Sequence, residues 1–175
     1  NMSKEVILGG TFDHLHIGHK KLIDEGLKRG LLTIGLVSDE MLAEWKPEVV
    51  TSYEERKREL ESYLRGRGKW KIIRIDDPYN EAVEGDYDKL IVSYETKEKG
   101  EEINKRRIKK RKPPLDLIEV KPILAEDLMP VSSTRIRNGD ITKDGDRIGK
   151  VKVKVGSNNK TKKDLVEKIL SKYFD

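Results

Sequence analysis

Val6-Ile7-Leu8-Gly9-Gly10-Thr11-Phe12-Asp13-His14-Leu15-His16-Ile17-Gly18-His19 reads as a short buried strand, a glycine turn and the start of a helix. Three aliphatic residues in a row suit a strand covered on both faces. Gly9 and Gly10 then let the backbone approach a ligand more closely than a residue with a Cβ could. From His19, the residues Leu22, Ile23, Gly26, Leu27 and Gly30 follow at i+3, i+4, i+7, i+8 and i+11. That is one face of a helix, with Gly30 placed to end it. A helix start offers unpaired N–H groups and the positive end of the macrodipole, which suit an anion. His16 and His19 can donate hydrogen bonds to phosphate oxygens there, and Thr11 adds a hydroxyl and a backbone N–H. A zinc pair is the competing reading, but no third ligand pattern or cysteine accompanies the histidines. His14 does not fit the pair.

Outward from this loop, short apolar runs alternate with helical periodicity. Leu31 to Val37 is a second strand closing at Ser38-Asp39, Trp70 to Ile75 a third, Leu90 to Val92 a fourth and Leu115 to Val120 a fifth. Thr51-x-x-Glu54 reads as a capping box opening a helix that buries Tyr53, Leu60, Tyr63 and Leu64, with Gly66 and Gly68 breaking it. Asp76-Asp77-Pro78 is a turn, a helix starts near Gly100, and Ser132-Ser133-Thr134 sits at another helix start. Strands alternating with helices predict an α/β fold, a Rossmann-like doubly wound sheet of five parallel strands. Such sheets bind ligands beyond the carboxyl ends of their strands, where strand order reverses. The loop at residues 9–19 is therefore the first candidate site.

The chain has 175 residues, a size that suits one hydrophobic core. Residues 2–150 read as one domain and 151–175 as a short extension of strand, turn and helix. Charged residues make up 39% of the chain, a composition resembling heat-adapted proteins. The net charge of +5 is unevenly spread. Residues 151–175 hold seven Lys and three acids, which leaves 30 basic and 29 acidic residues for the rest. A nearly neutral body argues against charge steering as the basis of binding. With no cysteines, disulfides and thiolate metal sites are excluded. No apolar run approaches the ~20 residues of a membrane span. Asn1 ahead of Met2 reads as an added residue, no secretory leader follows, and a cytoplasmic location is expected.

Gly10-Thr11-Phe12-Asp13 followed by His16-Ile17-Gly18-His19 resembles the signature of the nucleotidyltransferases that share a fold with class I aminoacyl-tRNA synthetases. Val131-Ser132-Ser133-Thr134-Arg135-Ile136-Arg137 resembles their second element, Ile-Ser-Ser-Thr-x-Ile-Arg. Ser38-Asp39-Glu40, Lys46-Pro47, Tyr53-Glu54-Glu55-Arg56 and Ser93-Tyr94-Glu95-Thr96, with Gly100 and Asn104, are similar to phosphopantetheine adenylyltransferases of the archaeal and eukaryotic type. The resemblance covers roughly residues 4–142. The chain departs from the bacterial form in having His16 and in lacking an Arg-Gly-Leu-Arg segment, so acceptor contacts do not carry over from there.

The resemblance implies in-line attack by the phosphate of 4′-phosphopantetheine on the α-phosphorus of ATP. An ionised phosphate nucleophile needs no strong general base, so positioning and charge neutralisation would carry the catalysis. On this reading Thr11 orients the acceptor phosphate and His19 stabilises the α-phosphate. His16 holds the triphosphate, while Ser132, Ser133, Thr134 and Arg135 grip its outer phosphates. Gly10 and Phe12 complete the ATP site. Lys46 is the candidate bridge between acceptor phosphate and α-phosphate. Asp13 has no assigned part, and Glu95 either orients a substrate or caps the following helix. Magnesium is expected with ATP, held mainly by substrate oxygens and water because no dense carboxylate cluster marks a protein site.

Residues 97–112 carry nine basic and three acidic side chains, read as a solvated helix face. They lack the aromatic interleaving of RNA-binding modules, so no nucleic acid partner is expected. Val155 to Lys160 has a weak likeness to the first strand and loop of some nucleoside triphosphatases, too little to assign a second activity. Cytidylyltransferases and FAD-forming adenylyltransferases share the first motif and stay open as alternatives. Nicotinamide mononucleotide enzymes carry Gly-Arg-Phe-Gln-Pro where this chain has Thr11-Phe12-Asp13. A synthetase fragment would need a Lys-Met-Ser-Lys-Ser loop. A nucleotide sensor without chemistry is the remaining alternative. Oligomeric state is not legible.

Overall fold

The computed structural model describes residues 3–149. The extension read at 151–175 lies outside the described residues. The element order is β1 (Glu5–Gly10), α1 (Ile17–Leu27), β2 (Leu31–Val37), α2 (Asp39–Trp45), α3 (Tyr53–Leu64), β3 (Trp70–Ile75), α4 (Asn80–Glu84), β4 (Lys89–Val92), α5 (Lys97–Lys109), β5 (Asp116–Glu119) and α6 (Ser133–Arg137). The five strands form one sheet in the order β3-β2-β1-β4-β5, and every pairing is parallel. From central β1 the chain winds outward through β2 and β3, then returns to build β4 and β5 on the other side. The strand order reverses at β1, so the loop leaving β1 opens at the switch point.

Successive side chains of β1 serve opposite faces. Val6 and Leu8 join Ile23, Leu32, Ile34, Leu60 and Leu64 on one side. Ile7 joins Val83, Leu90, Val92 and Ile103 on the other. Ile34 and Leu60 are fully buried, and truncating either to Ala would cost about 2–5 kcal/mol. A third small core of Ala125, Val131 and Ile141 seats residues 125–141 against Ile17 at the start of α1. That contact brings the end of the described chain to its first loop.

β2 and β3 fall as the sequence predicts, whereas β1 runs on through Gly9 and Gly10, which pair with Gly35 and Leu36 instead of forming a turn, and α5 opens three residues earlier than expected. Other expectations are corrected. The α3 capping box is Ser52 with Glu55, one residue later than predicted, because the Thr51 hydroxyl donates to Asp13 instead (2.6 Å). Helix α1 ends at Leu27 rather than at Gly30. Gly30 (φ +156°) is required by close approach, since a Cβ there would lie 2.1 Å from the carbonyl oxygen of Lys4. That oxygen accepts from Leu31 N–H at 2.9 Å, opening the β1–β2 ladder. Helices α2 and α4 were not foreseen. The basic run of α5 is only in part a solvated face: Arg107 is buried, donating to the carbonyls of Ala82, Gly85 and Pro113.

Candidate active site

The loop after β1 turns through two strained residues, Phe12 (φ 53°) and His14 (φ 47°). Left-handed backbone at such residues costs about 1–3 kcal/mol each and persists only where surrounding contacts enforce it. The Phe12 ring is buried and folded back, and a Cβ at Gly10 would lie 2.9 Å from it. Gly10 is thus a glycine because Phe12 occupies the space of its side chain.

His16 is the N-cap of α1. Its Nδ1 accepts from His19 N–H (3.2 Å), and His19 Nδ1 accepts in return from His16 N–H (3.3 Å). The rings stack with centroids 3.6 Å apart. With both Nδ1 atoms used as acceptors, each neutral ring carries its proton on Nε2. Burial, and next the neighbouring His14, push His16 down to about 4. Burial first, then His16 and Lys46, hold His19 well below the ordinary imidazole value. The pair therefore presents two neutral N–H donors at neutral pH.

Gly18 completes this reciprocal cap. A Cβ there would stand 2.8 Å from His16 Cε1 and 3.0 Å from Nδ1. The helix start is less open than the sequence suggests. Ile17 N–H already donates to Lys143 O (3.1 Å), and His19 N–H is held by His16. Anion binding here falls more to the two Nε2–H groups than to the bare helix terminus.

Asp13 is buried and ties three segments together. Its carboxylate accepts from Thr51 Oγ1 (2.6 Å) and Arg137 Nη1 (2.5 Å), and its carbonyl accepts from Ser133 Oγ (2.5 Å). Ser132 N-caps α6, accepting from Arg135 N–H at 3.2 Å. Arg135 pairs with Asp127 and also donates to the carbonyl of Pro130 (3.3 Å). The hydroxyls of Ser132 and Ser133 thus help build the site.

A cleft of about 510 Å³ is lined by Gly10, Thr11, Phe12, His16, His19, Lys46, Glu95, Ser132, Ser133, Thr134 and Arg135. It gathers every residue that the sequence singled out for the site. Arg137 also lines it, a residue without a foreseen role. Glu95 is exposed on the rim and does not cap α5, whose N-cap is Thr96. Behind the cleft lies a smaller chamber of about 170 Å³ with a mostly apolar wall that includes Met41, Leu42, Trp45, Ile75, Ala82 and Ile103. Gly9, Gly10, Thr11, Lys46 and Thr96 line both spaces. Among the described residues no group of three or more His, Asp or Glu side chains could hold a metal ion. No described helix is long and apolar enough to cross a membrane.

Residues 7–139 match the family model described as cytidylyltransferase-like. The chain is 43% identical over 159 residues to a bifunctional phosphopantetheine adenylyltransferase/NTP phosphatase of Thermoplasma volcanium, covering 89% of this chain. It spans about half of that relative's length (48%). It is 41% identical over 148 residues to a phosphopantetheine adenylyltransferase of Methanosarcina mazei, covering 81% of this chain and 95% of that protein. A solved Archaeoglobus fulgidus protein of unknown function superposes with a TM-score of 0.62 at 36% identity, over 66% of this chain and 88% of that one. With the sheet order, the paired histidines and the second motif closing on them, these likenesses place the chain in the cytidylyltransferase-like nucleotidyltransferases and, among these, in the phosphopantetheine adenylyltransferase family.

Proposed function

We propose that the chain transfers AMP from ATP to 4′-phosphopantetheine, giving dephospho-coenzyme A and pyrophosphate. The observation that carries this reading is the meeting of two unlike spaces at Thr11 and Lys46. The polar cleft, with its histidines and the 131–137 segment, suits a nucleotide triphosphate. The apolar chamber suits a slender acyl-amide arm ending in a phosphate at the junction.

In this reaction an acceptor phosphate oxygen attacks the α-phosphorus. The bond to the bridging oxygen breaks, and pyrophosphate leaves with that electron pair. His19 Nε2–H donates to an α-phosphate oxygen as charge grows on it, and His16 Nε2–H holds the triphosphate. Thr11 orients the acceptor phosphate, and Lys46 bridges it to the α-phosphate. Gly10 and Phe12 shape the floor, while Ser132, Thr134 and Arg135 fix the outer phosphates and Ser133, its hydroxyl given to Asp13, holds their segment against the loop. Magnesium would be bound mainly by the triphosphate oxygens and water, where it would neutralise phosphate charge; the described residues form no cluster of carboxylates or histidines for it. Soluble substrates of this kind fit a cytoplasmic enzyme.

The test is pyrophosphate release from ATP and magnesium with 4′-phosphopantetheine, FMN, nicotinamide mononucleotide or no acceptor, and with CTP as alternative donor. Release only with ATP and 4′-phosphopantetheine is the expected result. Release with another acceptor would overturn the substrate, and ATP binding with no release under any condition would favour a sensor.

A further inference from the structure

Lys99 is the third residue of α5 and half-buried, with its ammonium 5.9 Å from the centroid of the Trp45 ring. Among the described residues it has no ion-pair partner, whereas Lys97 nearby pairs with Glu119 at 3.2 Å. Burial first, and then the charge of Lys46, lower its affinity for a proton below the usual lysine value. Lys46 and Lys99 line one chamber whose two acids are engaged elsewhere, Asp77 by the N–H groups of Tyr79 and Asn80 and Glu81 by the Tyr87 hydroxyl, so neither forms an ion pair with Lys99. A half-desolvated cation beside a second cation is unfavourable unless a ligand brings the anion.

The walls say which ligand that is. Lys46 and Thr11 line both the polar cleft and the apolar chamber, but Lys99 lines the apolar chamber alone. An anion held between the two lysines therefore belongs to the molecule in the apolar chamber and not to the nucleotide. The Trp45 ring beneath the ammonium offers it a cation–π contact that holds it at the chamber wall before the ligand arrives.

We propose that Lys99 is a specificity-determining residue that, with Lys46, binds the acceptor's terminal phosphate and selects phosphorylated over unphosphorylated acceptors. This rests on the acceptor reading of the preceding subsection. The test compares direct binding of 4′-phosphopantetheine and pantetheine to the full chain and to Lys99→Met, which removes the charge at similar side-chain length. Lys99→Met should weaken 4′-phosphopantetheine binding by about 10- to 100-fold. Its affinity for pantetheine should be unchanged, and ATP affinity without acceptor should shift by less than about twofold. Lys99→Arg should restore part of the preference, which a purely structural role would not produce. If Lys99→Met weakens both acceptors equally, or leaves the preference for the phosphorylated one intact, the Lys99 assignment falls alone. If the unaltered chain shows no preference for the phosphorylated acceptor, the acceptor reading fails and takes this proposal with it.

Discussion

The buried guanidinium of Arg56 donates from Nη1 to the carbonyl oxygen of Thr11 at 3.0 Å, joining α3 to the turn that opens the active site. Its other nitrogens reach Asp39 Oδ1 (3.0 Å) at the start of α2 and the carbonyl of Thr51 (3.3 Å). One side chain thus fixes the backbone of Thr11 and the helix that ends at Lys46. Arg56→Ala should cost about 2–4 kcal/mol of folding stability, read from urea midpoints. Arg56→Lys, retaining the charge but not the three-way geometry, should fold more stably than Arg56→Ala and show a lower kcat than the unaltered chain. Equal kcat in Arg56→Lys would show that the contact supports folding only.

Gly18→Ala separates site from scaffold. Alanine suits a helix better than glycine by about 1 kcal/mol, which offsets the loss of the His16 cap, so stability should change by less than about 1 kcal/mol. The new Cβ collides with the His16 ring, and the displaced ring should lower kcat by about 10- to 100-fold. A fully active, stable Gly18→Ala protein would refute the reciprocal histidine cap.

His16 also makes stability depend on pH. In the unfolded chain the imidazole takes up a proton below about 6.5, whereas in the fold it resists until about 4. The unfolded state binds more protons across that window. Its contribution is therefore complete above about 6.5 and shrinks as pH falls towards 4. By about pH 5 the fold should have lost about 2 kcal/mol on this account. His16→Asn keeps an N-cap acceptor and removes the titration, so its urea midpoint should fall less between pH 7 and 5. Parallel slopes for the two proteins would count against a neutral His16.

Asp13→Asn should loosen the second motif, because the buried carboxylate is what holds Arg137 and Thr51. The expected result is an ATP KM raised about tenfold, with faster amide exchange over residues 131–147. Unchanged exchange would mean that Ile17, Val131 and Ile141 dock the segment unaided.

The strands were legible because runs such as Leu31 to Val37 are uncharged and mostly aliphatic, broken only by Thr33 and Gly35, the mark of a strand covered on both faces. The loop was legible because Gly10, Gly18 and the histidines constrain one another locally. The α3 frame slipped because Thr51 and Ser52 offer adjacent hydroxyls and Glu54 and Glu55 adjacent acids; only the partner across the fold, Asp13, decides between them. Arg107 and Lys99 read as surface charges in sequence and Arg56 only as part of a motif, since burial of a cation leaves no periodic trace. The apolar chamber was invisible for a related reason. Its wall is drawn from residues such as Ile7, Leu90 and Ile103, which also belong to the core.

The contact of Ile17 N–H with Lys143 O and of Ser133 with Asp13 spans more than a hundred residues of chain. Contacts so distant in sequence form late, since a large loop must close before they repay its entropy. The sheet begins with a shorter closure, β1 and β2 pairing within the first 37 residues, before β1 meets β4 at Val6 and Lys89. In refolding, far-ultraviolet dichroism should therefore recover before nucleotide binding does, and simultaneous recovery of the two signals would refute this order. The nucleotide cleft is in this sense a late-formed seam, and its ability to hold ligand reports that the whole described chain has arrived.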